Sequence, residues 1–130
     1  MIRRNAEADV PEAITHLAGS YRNGDYGLVK SAKKAAKIYK RAVELGDTNA
    51  MNSLGIMYMT GEFKLDKKKA VQLFRMAADR GHATAQKNIG LAYQEGEGCS
   101  EDLDEARRWL TLAALQGHNA AKTMLAQLET

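Results

Sequence analysis

Apolar residues recur along this chain at steps of three and four, the spacing that lays a stripe down one side of an α-helix. In LGIMYMTGEF, residues 54–63, Leu54 and Tyr58 stand four apart and a glycine closes the run; IGLAYQEGEG, 89–98, repeats the plan. Extending the two phrases outward aligns Ala50, Leu54, Gly55, Tyr58 and Gly61 with Ala85, Ile89, Gly90, Tyr93 and Gly96, and upstream with Ala13, Leu17, Ala18, Tyr21 and Gly24. A second stripe follows each first one: Ala35, Tyr39, Ala42 and Gly46 match Ala70, Phe74, Ala77 and Gly81, then Ala106, Leu110, Ala113 and Gly117. The period is about 36 residues, which marks a building unit of a stacked array rather than an isolated site.

Each unit therefore predicts two helices. First helices fall near 11–23, 48–60 and 83–95, second helices near 32–45, 67–80 and 103–116, and one further first helix near 119–129. Glycines stand where each helix must stop, and the glycine beside the leucine position, Gly55 or Gly90, leaves room where another helix approaches closely. Length differences between units fall in the loop inside each pair, where insertions cost least. Pro11, before Glu12 and after the cap candidate Asp9, is a favourable helix start. The last helix carries Ala121, Leu125 and Leu128 on one face and is expected to cover the end of the array. The expectation is one all-α domain over 1–130, with units at about 11–46, 47–81 and 82–117 and a capping helix at 118–130.

Composition narrows the class. At 130 residues, 45% hydrophobic and 27% charged, the chain suits one folded globular unit rather than a disordered one. No apolar run approaches the ~20 residues that cross a bilayer, and the opening MIRRNAEADV has two arginines with no apolar stretch behind them, so a cytoplasmic home is expected. Cys99 is the only cysteine, which rules out a disulfide within the chain. A formal charge of +3 is too small to argue for nucleic acid.

The stretch AMNSLGIMYMTGEFKLDKKKAVQLFRMAADRGHATA, 50–85, resembles a Sel1-like repeat, a relative of the tetratricopeptide repeat, and the resemblance covers nearly the whole chain. The first unit departs from the pattern, with Ala18 in place of the glycine. The resemblance implies a right-handed α-α superhelix, a solenoid of about 3.5 antiparallel helix pairs, whose first helices line a concave face. It implies a non-enzymatic adaptor that holds a partner protein or peptide, with no cofactor and no small-molecule substrate. By analogy with tetratricopeptide proteins, the polar contacts of that groove would be Arg22, Asn49, Asn52, Lys87, Asn88 and Gln94, and its apolar floor Ile56, Met59 and Leu91.

A second reading rests on charge. Lys30, Lys33, Lys34, Lys37, Lys40 and Arg41 lie in a stretch without an acid, and KLDKKK, 64–69, adds four lysines. These basic second helices would hold a polyanion such as RNA or an anionic lipid, although the one aromatic residue among the lysines, Tyr39, belongs to the apolar stripe. Acids crowd 95–105, so head-to-tail association of oppositely charged ends is a further expectation. The chain is also readable as the repeat segment of a larger multidomain protein.

Nothing in the pattern spells catalysis or metal binding. His82 and His118 mark equivalent helix starts about 10 Å apart by helix-packing distance, too far to share an ion. Cys99 is expected in an exposed loop whose acids raise its pKa. Trp109, where other units have Ile38 and Leu73, is read as packing between units.

Overall fold

The computed structural model describes residues 10–130. Among these it contains seven helices and no strand: α1 (Pro11–Asn23), α2 (Ala32–Glu44), α3 (Thr48–Thr60), α4 (Lys67–Asp79), α5 (Ala83–Glu95), α6 (Leu103–Leu115) and α7 (Asn119–Glu129). Each agrees with its predicted span to within a residue. Second helices start on side-chain caps: Ser31 accepts from the Lys34 amide, Asp66 from Lys69 and Asp102 from Glu105. They run into Gly46, Gly81 and Gly117 at φ near +90°, a left-handed turn that a β-carbon would strain. The start of α1 differs from expectation. Its N-cap is Val10, without a side-chain bond, and Asp9 lies outside the described residues.

Three-residue turns at 45–47, 80–82 and 116–118 are too short for anything but an antiparallel neighbour, and each helix packs chiefly on the helices before and after it. The repeated alanines explain how closely. Ala35, Ala42, Ala70, Ala77, Ala106 and Ala113 are all fully buried, so helix backbones approach with only a methyl group between them. The glycine beside the leucine position serves the pair within one unit. A β-carbon on Gly55 would stand 2.7 Å from Phe74 Cε1, and one on Gly90 2.9 Å from Leu110 Cγ.

One core runs from Ile14 through Met51, Leu54, Met57, Phe74 and Ile89 to Trp109. A smaller one joins Leu110, Ala113 and Ala121, with Met124, Leu125 and Leu128 of α7 packed against it. The result is an all-α repeat solenoid, in which each unit's stability depends on its neighbours.

Candidate functional site

Successive first helices are joined by polar bonds one repeat apart. The Thr15 hydroxyl donates to Asp47 Oδ2, and this bond draws the Asp47 carboxylate away from the start of α3, which has no side-chain cap. His82 does both jobs: its Nδ1 accepts from the Ala85 amide at 3.1 Å. The hydrogen must then sit on Nε2, which lies 2.8 Å from Asn49 Oδ1 and donates to it. Burial holds the His82 pKa below the ordinary histidine range, His118 adds to the effect, and Asp47 opposes it. Farther along, Asn88 Nδ2 donates to Asn52 Oδ1 at 2.9 Å.

Loop residues add two ion pairs of the same kind. Arg22 grips Glu62 with two bonds of 2.7 and 2.8 Å, and the guanidinium holds the Glu62 carboxyl below its usual range. Lys67 Nζ meets Glu97 Oε2 at 2.6 Å. Arg22, Asn49 and Asn52, three of the expected peptide contacts, thus spend hydrogen bonds on the neighbouring unit, and Asn52 is buried.

The other candidates converge. Ile56, Met59, Lys87, Asn88 and Leu91 line one open groove of about 410 Å³ between α3 and α5, floored also by Phe74 and Ala92. Thr60, Lys67, Glu95 and Glu97 complete its walls. Lys87 is its chemical focus. The side chain is half-buried, burial alone pushes its pKa down, and among the described residues no carboxylate reaches it. Gln94 is not among the lining residues, and its Oε1 is buried without a hydrogen-bond donor.

Sequence reasoning missed Phe74, Thr60, Lys67, Glu95 and Glu97. Phe74 belongs to the second-helix stripe, and its edge reaches the groove only because Gly55 has no side chain in the way. Lys67 and Glu97 come from the start of α4 and the loop after α5, so first-helix periodicity carries no trace of them.

The lysines of α2 and of 64–69 are exposed, Lys67 excepted. Aromatic rings do meet them, from other elements: Lys34 lies over Tyr21, Lys40 over Phe63 and Lys69 over Tyr58, each within 5.5 Å of the ring centroid. Cys99 is half-buried rather than exposed, and burial, not the surrounding acids, raises its thiol pKa, with Arg75 pulling the other way. Among the described residues no three His, Cys, Asp or Glu side chains converge as metal ligands, and no helix is long and apolar enough to cross a membrane.

A stack of helical hairpins with its variable residues gathered in an inter-unit groove belongs to the class of helical repeat solenoids. Within that class this chain belongs to the Sel1 repeat family, whose model matches residues 11–47, 48–82 and 83–118. It is similar to the crystal structure of a Sel1 repeat protein from Oxalobacter formigenes, with 32% identity and a TM-score of 0.85 over 96% of this chain and 94% of that one. It is also similar to c5321, a protective antigen present in uropathogenic Escherichia coli strains that displays an SLR fold. There the identity is 34% and the TM-score 0.86, with 97% of this chain covered and only 27% of that one. Helicobacter pylori cysteine rich protein B shares the fold at 21% identity and a TM-score of 0.70, over 92% of this chain and 96% of that one. No curated protein sequence matches the chain. Sel1 repeats generally mediate protein–protein interactions and typically serve as non-catalytic scaffolds.

Proposed function

We propose that this protein is a non-enzymatic adaptor, and that a peptide or helix of its partner protein occupies the groove between α3 and α5. The observation that carries the reading is Lys87: a half-buried ammonium that no carboxylate among the described residues reaches, beside an apolar floor of Ile56, Met59, Phe74 and Leu91. A segment that covers this floor removes apolar surface from water, and a polar group on it can meet the ammonium. Asn88 offers its remaining amide hydrogen, while Arg22, Asn49 and Asn52 act one step back, by fixing the spacing of the units that form the walls. The adaptor acts as one domain over 1–130, with 118–130 as its cap, in the cytoplasm.

Affinity capture from a lysate tests this at physiological salt, with the wild-type chain beside an Ile56→Arg, Lys87→Glu, Leu91→Arg variant that melts cooperatively. Proteins lost only by the variant support the groove. Identical captures refute it.

The exposed lysines of α2 and 64–69 favour a second reading, in which RNA or an anionic lipid binds there. Counterion release would make such binding collapse between low and physiological salt. Neutralising Lys33, Lys34 and Lys37 without loss of affinity would end that reading.

A further inference from the structure

A second groove, of about 320 Å³, opens on the second-helix side of the molecule between α2 and α4, away from the lining of the first. Val43, Leu54, Tyr58, Leu73 and Met76 floor it, and Lys40, Lys69 and Glu44 stand at its rim. The repeat supplies its own control, because the same positions recur one unit later between α4 and α6. There Trp109 replaces Leu73, Arg75 replaces Lys40 and Arg108 replaces Gln72.

At that later junction the indole is only 3% exposed. Arg75 lies 5.8 Å and Arg108 4.8 Å from its ring centroid, and Arg75 also donates to the Tyr93 hydroxyl. The junction is closed by an aromatic ring with two cations against it. At the α2–α4 junction only one of these cations recurs, as Lys40; the smaller Leu73 stands in the ring's place, and the second cation is Lys69, where the next unit has Glu105. Lys40 and Lys69 are exposed, among the described residues no carboxylate lies in ion-pair contact with either, and they rest over Phe63 and Tyr58 at 5.5 and 5.3 Å. Met76, at the mouth, keeps 40% of its surface exposed.

We propose that this groove is a second docking site, and that its occupant is a partner protein segment with an aromatic anchor flanked by acidic residues. The ring would lie over Leu73, in the space that the larger Trp109 side chain fills one unit later, where an aromatic side chain buries a large area against few rotatable bonds. The flanking carboxylates would pair with Lys40 and Lys69, whose charges outnumber that of Glu44. This site is independent of the α3–α5 groove, so one protein can hold two partner segments at once.

The probe is a blocked pentapeptide of one tryptophan with two glutamates on each side, added to the isotope-labelled full chain at low salt and followed by methyl NMR. Shifts are expected at Val43, Leu54, Leu73 and Met76, and not at Ile56 or Leu91. Replacing the peptide's tryptophan by alanine, or its glutamates by lysines, should weaken binding at least tenfold, as should Lys40→Glu with Lys69→Glu in the protein. Leu73→Trp should fill the groove from within, preserve the fold and abolish binding; Met76→Glu, at the exposed mouth, repeats the test should that variant not fold.

The proposal is overturned by any of four results: no shifts up to millimolar peptide, shifts centred on Ile56 and Leu91, undiminished binding to a folded groove variant, or equal binding of the alanine peptide. A dodecamer of thymidylate that binds as tightly and ignores Leu73→Trp would mark a polyanion surface instead, and would equally overturn it.

Discussion

Asn88 donates a 2.9 Å hydrogen bond to Asn52, which lies 36 residues away on the preceding first helix. Asn52 is only 8% exposed, so its carbonyl has little water to fall back on if the donor goes. Asn88→Ala should therefore destabilise the protein by about 1–3 kcal/mol, the cost of a buried acceptor left unpaired. Asn52→Ala with Asn88→Ala should cost less than the sum of the single changes. Urea unfolding of the four proteins in the cycle measures this, and strict additivity would show that the bond does not couple the units.

Gly90 presents a sharper packing test. Its missing β-carbon would come within 2.9 Å of Leu110 Cγ and 3.3 Å of the Ala106 carbonyl, and a backbone oxygen cannot swing aside. Gly90→Leu should destabilise by about 1–3 kcal/mol or more through overpacking, whereas exposed Lys33→Ala should stay within about 0.5 kcal/mol. Equal melting temperatures for the two variants would contradict the helix pairing.

The helices were legible because their signals are local: caps at Ser31, Asp66 and Asp102, glycines at the ends, and a stripe at steps of four between them. The groove was legible only in part. First-helix positions picked out Ile56, Met59, Lys87, Asn88 and Leu91, since those side chains leave the stripe on the same side. Asn49 and Asn52 carry the same composition signal yet pair with His82 and Asn88, and nothing in one unit's sequence says that the next unit will claim them. The same limit hid the rings beneath the lysines. Tyr58, Phe63 and Lys69 lie apart in sequence or on different elements, and meet only when the hairpins close.

His82 links stability to pH. Its folded-state pKa lies below the ordinary value of 6.5, so the unfolded chain takes up the proton first. Its contribution is complete above about pH 6.5 and is lost as pH falls from there toward the folded value. Protonation at Nδ1 also removes the acceptor for the Ala85 amide. Asp47, which favours the charged ring, and His118, which disfavours it, are the titratable neighbours. His82→Asn retains a capping side chain without a titrating ring. The wild-type stability measured by urea at pH 7.5 and 5.5 should drop by more than that of the variant; parallel losses would assign the pH dependence elsewhere.

Lys87 separates binding from folding. Burial without a counter-charge disfavours its ammonium, so the charged form opposes folding, and wild-type stability should rise as pH climbs through the depressed folded-state pKa toward 10.5. Lys87→Met keeps the length and apolar stem but has no charge to desolvate. It should melt at or above the wild-type temperature at pH 7 and lose the rise in stability toward alkaline pH. If the ammonium is the polar contact of the α3–α5 groove, the same variant should retain its fold and release its partner, read as at least a tenfold weaker affinity. A variant that melts well below wild type would instead give Lys87 a structural role, and one that folds and binds as wild type would remove it from the site.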